Sequence, residues 1–591
     1  MFKIFKRMRR IEVILMLASM LLVLGQVWCD LKIPDYMTSI TVLLNSPDST
    51  IGDIYGAGAM MMLYAVVSAF LTLGSRFVSA QLSGNFSMHL REDIFHSVEE
   101  FSPAEIDRFS TASLITRSTN DITQIQHFFA TGLTMIIRLP ITLVVAISKI
   151  VGKHWQWTSV MVAAMMILLS VMAAVLRYAR PRFMRMQYLT DNLNRVTREH
   201  LTGIRVIRAY NAENYQESRF DEANNALTDN SLYAHYAMDA MRPAMRIINN
   251  GLNVSIYIIG AYLIAATVGT DAALTTFSEM VVFSNYAQKI LMSFMSIQLI
   301  FNMWPRAEVS ANRIAEVLDT VPSIKDGPAD HGTEGMTGEI EFKNVSFRYP
   351  GAEGDVLSNI SFTAHHGETV AFIGATGSGK STLINLIPRF YDTTEGSVLV
   401  DGLDVREYNI ARLRSMIGYA PQRAVLFTGD VTSNVSYGDA SEGMSEEEIE
   451  ARVREAVEIA QARDFVEKRE DAYHSEITRG GTNVSGGQKQ RLSIARAIFR
   501  KPEVYIFDDT FSALDYKTDR TLRTCLKEKT AGITTLIVAQ RIGTIRDADR
   551  IIVLDEGQIV GMGTHDELMK DCRVYQEIAY TQLSEEDLKN G

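Results

Sequence analysis

Apolar residues follow two different spacings in the two halves of the chain. Up to about residue 305 they form long runs: 11–29, then roughly 54–76, 135–152, 156–178, 248–269 and 276–300. Crossing about 30 Å of hydrocarbon takes about 20 helical residues, so these runs predict six membrane-spanning helices. Their connectors alternate between short and long. Those after the second and fourth runs, roughly 55 to 70 residues each, are too long for structureless loops. They carry charged helical patterning, as in Leu90-Arg91-Glu92-Asp93-Ile94-Phe95 and in 198–210. The spans are therefore expected to run on past the bilayer, turn and return. At about 1.5 Å per residue, about 25 extra residues reach nearly 40 Å.

After about residue 335 the pattern shortens. Residues 340–349 alternate as a half-buried strand does, and 369–373 and 503–507 are short continuous apolar runs of buried-strand length. A stretch rich in Gly, Asp and Pro, 321–338, separates the two regimes.

Charge sets the orientation. The first ten residues hold Lys3, Lys6, Arg7, Arg9 and Arg10 and no acid, which predicts a cytoplasmic N-terminus. Trp28, Cys29 and Asp30 follow the first run in place of a small-residue cleavage site, so a retained helix is expected. Six spans return the chain to the cytoplasmic side. Asp30, Asp35, Asp48 and Asp53, against Lys32, are then expected in the outer connection between spans one and two. Arg76 and Arg138 are expected at the cytoplasmic edge and Lys149 at the outer edge, snorkelling to water. Glu279 is the charge expected to face a cavity.

Composition excludes several classes. With 47% hydrophobic and 21% charged residues the chain is neither disordered nor collagen-like. A net charge of −11 without a dominant basic block in the soluble half offers no nucleic-acid surface. Cys29, Cys525 and Cys572 lie far apart, without metal-ligand spacing.

The 369–373 strand runs straight into Gly374-Ala375-Thr376-Gly377-Ser378-Gly379-Lys380-Ser381, and Thr382 continues as a helix. This is a complete phosphate-binding loop in its strand–loop–helix setting. Its glycines let backbone N–H groups crowd around phosphate oxygens, and the helix N-terminus adds positive potential. Lys380 is expected to meet the β- and γ-phosphates of ATP, and Ser381 to hold Mg²⁺. The 503–507 strand ends in Asp508-Asp509, where a Mg²⁺-holding carboxylate is needed beside such a loop. Asp508 takes that role, and Asp509 stands where a water-activating base would sit.

Between these motifs lies Asn483-Val484-Ser485-Gly486-Gly487-Gln488-Lys489-Gln490-Arg491. It resembles the signature motif of ATP-binding cassette (ABC) proteins. The resemblance implies that Tyr349 stacks on adenine. It implies that Gln422 joins the Mg²⁺ site to the membrane domain, and that 512–515 crosses a dimer interface. Gln540 stands where the family has a histidine. With six spans ahead of one cassette, nearly the whole chain resembles an ABC exporter half-transporter. The implied architecture is an all-α six-helix transmembrane domain with long cytoplasmic helix extensions and two coupling segments (1–320), a linker (321–338) and an α/β P-loop nucleotide-binding domain (339–591). Residues 110–121 and 203–207 are similar to the family's coupling segments, although Ala112 stands where Gly is usual.

Two departures from the family carry mechanistic weight. The residue after the Mg²⁺ aspartate is usually glutamate; here it is Asp509, one methylene shorter. A misplacement on the order of an ångström can cost about 10²-fold in rate, and loss of a general base about 10²–10⁴-fold. Gln540 is neutral where the switch histidine is usual. Arg479-Gly480-Gly481 also lacks the acid common ahead of the signature. The signature core Ser485, Gly486, Gly487 and Gln488 is intact, and in this family it acts on ATP bound to a second chain. The combination resembles the degenerate-site subunit of bacterial heterodimeric multidrug exporters. It implies a partner half-transporter carrying the catalytic Glu and His, placement in the plasma (inner) membrane in contact with lipid, a cytoplasmic nucleotide-binding domain and a lipophilic small-molecule cargo. The alternatives are a homodimeric exporter with slow hydrolysis and an ATP-dependent membrane sensor that moves nothing.

Overall fold

Six long helices make up most of the first 319 residues of the computed structural model, which describes residues 2–44, 49–266 and 272–582. They are α1 (Arg10–Leu43), α2 (Ile51–Glu99), α3 (Thr111–Ile150), α4 (Trp155–Thr202), α5 (Glu213–Ala265) and α6 (Ala272–Asp319). The last residues of the fifth apolar run, 267–269, and Asp48 fall outside the described residues. The 49 residues of α2 and the 53 of α5 far exceed the roughly 20 that span a bilayer. The charged connectors are therefore continuations of the spans.

Among the described residues, five helices, α1 to α5, are long and apolar enough to cross a membrane. α6 has the length but not the apolar composition, because Ser278, Glu279, Ser284, Asn285, Gln288 and Lys289 interrupt it. Burial explains the difference. α6 packs against α1, α3 and α5, and Phe283, Tyr286, Ala287 and Ile290 lie at its buried face. Its polar groups bond to neighbouring helices: Ser284 Oγ donates to Asn253 Oδ1 at 2.8 Å and Gln288 Nε2 to the same oxygen at 3.1 Å. α2 is the opposite case, with Phe70, Leu73 and Phe77 exposed, as a lipid- or partner-facing helix permits. Two π-helical turns, Arg117–Asp121 and Phe128–Gly132, interrupt α3.

Asp30 and Asp35 do not lie in an irregular connection. α1 continues to Leu43 and carries both on the helix. Their charges are met there: Arg138 lies 3.4 Å from Asp30, and Lys149 2.7 Å from Asp35. Glu279 pairs with Lys153 at 2.7 Å rather than standing free. The first connecting turn also differs from expectation. Residues 111–121 begin α3, and the first turn holds a short helix, Pro103–Phe109. Ser102 caps it, Pro103 is its first residue, and Glu105 closes a capping box. The second turn holds Ile204–Ala209, and Glu213 already belongs to α5.

By contacts the chain divides into two units, 1–97 with 112–319, and 98–111 with 320–591. In the second, Ser323 N donates to Glu105 Oε1 at 3.3 Å, and the Phe101 and Phe109 rings stack at 5.8 Å. Its strands are β1 (Ile340–Phe347), β2 (Leu357–Ala364), β3 (Thr369–Gly374), β4 (Glu395–Val400), β5 (Leu403–Asp404), β6 (Ile417–Ala420), β7 (Gly429–Asp430), β8 (Glu476–Ile477), β9 (Val504–Asp508), β10 (Thr534–Val538), β11 (Arg550–Asp555) and β12 (Gln558–Gly563). One sheet runs β2-β1-β4-β5, a second runs β12-β11-β3-β10-β9-β6, and β7 pairs with β8. In the second sheet β11, β3, β10, β9 and β6 are parallel and β12 is antiparallel at the edge. Alternation along β3 sends Val370 and Phe372 into one core and Ala371 and Ile373 into the other. A sheet buried on both faces needs continuous apolar strands, which is the pattern of 369–373 and 503–507.

Candidate functional site

The parallel strands deliver their C-terminal ends to one crevice, the usual place for a ligand in an open α/β sheet. β3 ends at Gly374, and the loop closes onto helix α7 (Lys380–Leu386). Gly379 has φ 95°, and a Cβ there would lie 2.6 Å from Leu357 Cδ2 and 3.0 Å from the Val356 carbonyl oxygen. Ala375, Thr376 and Gly377 are exposed, whereas Ser378, Gly379, Lys380 and Thr382 are buried. Lys380 Nζ donates to the carbonyl oxygens of Gly374 (2.9 Å) and Ala375 (2.7 Å) and to Ser378 Oγ (3.2 Å). The ammonium is thus folded over the loop's own backbone. Burial pushes its pKa down, opposed by Asp509 and Asp508.

Ser381 Oγ donates to Asp508 Oδ1 at 2.9 Å. Hydroxyl and carboxylate oxygens side by side form a hard donor set that suits Mg²⁺. Burial raises the Asp508 pKa, opposed by the Ser381 hydrogen bond and reinforced by Asp509. A cation at this point would relieve both effects, so the residues fit the metal. Tyr349 Oη lies 3.0 Å from Thr382 Oγ1, and the ring packs edge-on against Tyr391 at 5.2 Å. The adenine-stacking candidate is therefore fixed beside the phosphate loop.

Asp509 has φ 48°, and its N–H donates to the Val538 carbonyl at 2.9 Å. Its Oδ2 accepts from Gln540 Nε2 at 2.7 Å and, at 3.4 Å, from Gln422 Nε2. Burial raises its pKa, while the two glutamines and Ser512 oppose the rise. Two glutamines given no role of their own in the sequence support this group. Gln490 Nε2 donates to the Gln422 carbonyl at 2.8 Å, and Gln582 Nε2 to the Gln540 carbonyl at 2.7 Å. Gln490 was legible as a polar residue among the apolar positions of its helix; nothing local marks Gln582.

Lys380, Ser381, Asp508, Asp509, Gln422 and Gln540 thus come together. The signature does not join them directly. Ser485 and Gly486 are exposed at the start of helix α8 (Gly486–Phe499). Gln488 Oε1 accepts from Ser485 N at 2.9 Å, and Ser485 Oγ accepts from Gln488 N at 3.4 Å. This capping box leaves the N-terminal potential of α8 facing outward. Gly487 is half-buried, and a Cβ there would sit 3.1 Å from the Ala513 carbonyl. Upstream, the Gly480 carbonyl accepts from Lys489 Nζ at 2.8 Å.

Comparison with known proteins fits this geometry. A model of the ABC transporter transmembrane region matches residues 13–292, and the ABC transporter model matches 357–512. An uncharacterized ABC transporter ATP-binding protein of Mycobacterium tuberculosis is 38% identical over 89% of this chain and 88% of its own length. The chain belongs to the ABC transporter family. A second relative of this ABC transporter, the ATP-dependent lipid A-core flippase of Pseudomonas aeruginosa, is 31% identical over 90% of the chain and 87% of that protein. The solved structure of a bacterial Atm1-family ABC exporter with ATP bound superposes with a TM-score of 0.72 at 23% identity, covering 98% of this chain and 100% of that one. The fold is therefore that of ABC exporters: a mostly helical transmembrane region followed by an α/β nucleotide-binding domain.

Proposed function

We propose that this ABC transporter is one half of a heterodimeric ATP-driven exporter, contributing a degenerate ATP site and an intact signature to its partner's competent site. The observation that carries the reading is the Asp509 carboxylate, engaged by the Gln540 and Gln422 amides. A general base must reach the water it activates at about 2.6–3.2 Å. A carboxylate short by one methylene and held by two neutral amides is drawn back from that position. The arrangement of the phosphate loop, Ser381 and Asp508 supports nucleotide holding in this reading. With nucleotide bound, Lys380 would exchange backbone carbonyls for phosphate oxygens, Ser381 and Asp508 would hold Mg²⁺, Tyr349 would stack on adenine, and the loop 374–379 would supply N–H donors. Mg²⁺ supplies neutralisation of phosphate charge when bound. The partner's phosphate loop is completed by Ser485, Gly486, Gly487 and Gln488 of this chain, which stabilise the transferring phosphoryl group electrostatically.

In this reading ATP persists at the chain's own site and holds the cassettes together while the partner's site turns over. Closure passes through Gln422 to the two short turn helices. The N-terminus and the nucleotide-binding domain lie in the cytoplasm, and cargo leaves the cytoplasm or the inner leaflet of the plasma membrane. The name of the flippase relative favours an amphipathic cargo. The test is co-purification with a half-transporter that carries the expected Glu and His, followed by ATPase measurement. Loss of the partner's glutamate is expected to abolish turnover, whereas Asp509→Ala here leaves most of it. Brisk hydrolysis by the purified chain alone overturns the asymmetric reading in favour of a homodimer. Persistent ATP binding without movement of any compound favours a sensor.

A further inference from the structure

Gln540 follows β10 and precedes a short helix, Ile542–Ile545. Where its side-chain amide stands against Asp509 depends on how the backbone of this turn is held. On one side the Ala539 N–H donates to the Phe372 carbonyl of β3 at 3.1 Å. On the other side the short helix is poorly started. A first-turn N–H has no partner within its own helix, and the preceding residue, Arg541, offers no side-chain cap. Four residues are also too few to be stable alone.

The missing partner comes from the end of helix α9 (Arg573–Gln582). Gln582 meets the turn with both ends of its side-chain amide. Its Oε1 accepts from the Ile542 N–H at 2.9 Å, and its Nε2 donates to the Gln540 carbonyl at 2.7 Å. A primary amide carries an acceptor and a donor side by side, so one side chain grips the backbone on both sides of Arg541. Helix α9 is itself firmly placed. Tyr575 and Ala579 are fully buried, Tyr575 Oη lies 2.7 Å from His565 Nδ1, and the helix packs against β3, β11 and the short helix. Because β3 ends in the phosphate loop, the grip and the loop share one support. Gln582 is exposed and fills no core position.

We propose that Gln582 is a positioning residue for ATP turnover at this chain's own site. It acts through the backbone of 540–542 and fixes whichever side chain stands at position 540 against residue 509. The inference rests on the reading of Asp509 and Gln540 as the hydrolytic positions of this site, but the grip itself is measurable without ATP.

The test begins with Gln582→Met, which keeps the length of the side chain and removes both hydrogen-bonding groups. In the full-length protein without nucleotide, hydrogen exchange over 539–546 should rise about fivefold. Exchange over 573–581 should not change. Gln582→Glu keeps the acceptor for Ile542 and loses the donor to Gln540, so exchange at Ile542 should stay within about twofold of the original.

Turnover is the second readout, taken in the complex with a half-transporter partner whose glutamate has been replaced. In the background of Asp509→Glu with Gln540→His, Gln582→Met should lower kcat about fivefold. The KM for ATP should stay within about twofold, because Lys380, Ser381 and Tyr349 are untouched. In the background of Asp509→Glu with Gln540→Ala, Gln582→Met should leave kcat unchanged, since no side chain is left to position. Unchanged exchange over 539–546, or a rise that spreads through 573–581, overturns the proposal. So does a KM that rises while kcat holds, or an equal loss of kcat in the Gln540→Ala background. If Asp509→Glu with Gln540→His gains no turnover, the degenerate-site reading fails, and the exchange comparison alone decides this inference.

Discussion

Asp509 and Gln540 hold each other at 2.7 Å, and the proposed slow hydrolysis rests on that contact. A glutamate reaches one methylene farther, and a histidine can donate without engaging the same oxygen. The double change Asp509→Glu with Gln540→His should raise ATP turnover at this chain's own site by about 10²-fold. Each single change should do much less, because residues acting as a unit are not additive; steady-state ATPase of the four variants checks this. A second expectation concerns pH. Burial raises the Asp508 pKa above its ordinary 3.8. A carboxyl with a raised folded-state pKa contributes stability that is fully present below the unfolded value and lost as pH rises through the folded value. Nucleotide-free protein should therefore gain thermal stability from Asp508→Asn at neutral pH, and that gain should shrink as pH falls toward 4. Melting curves of both proteins across pH 4–8 measure the difference. The same change should remove the stabilisation by Mg²⁺-ATP.

Short elements carry the next set of constraints. The helix Pro103–Phe109 has only seven residues, too few to be stable alone. Its capping box supplies the start, and its contact with Ser323 fixes it within the second unit. Loss of an N-cap costs about 1 kcal/mol. Ser102→Ala should therefore increase local hydrogen exchange over 98–111, while Ser102→Thr should leave it near the original. The phosphate loop is constrained more tightly. Gly379→Ala places a Cβ against Val356 and Leu357 at a φ of 95°, a strain of roughly 1–3 kcal/mol. Nucleotide affinity should fall by about tenfold or more, read by titration with a fluorescent ATP analogue.

At the scale of the whole molecule, the proposed reading has the exposed signature and the internally tied Asp509 divide the work between two chains. With a partner half-transporter present, removing the partner's glutamate should lower turnover by about 10²–10⁴-fold. Asp509→Ala should change it by less than about threefold, a small fraction of what loss of a working base costs. If Asp509→Ala alone stops all hydrolysis, the asymmetric division fails. The membrane helices obey a related division. α6 carries polar residues because it packs against α1, α3 and α5, and α2 is apolar at exposed positions such as Phe70, Leu73 and Phe77.

The linear order of residues was enough for the fold class, and it named most of the side chains that meet around the phosphate loop. Gly374 to Ser381 follows a buried strand and opens a helix, and such a loop depends on adjacent residues alone. Span length is likewise local, since hydropathy is summed along one helix. What lay beyond reach depended on partners distant in the chain. The sequence pattern placed Asp30 in the outer connection and Arg138 at the cytoplasmic edge, yet the two meet across 108 residues. Gln582 supports Gln540 from 42 residues away, and no periodicity records that approach. A charge's role follows from what stands opposite it, and in a helical bundle only packing decides which helices are opposed.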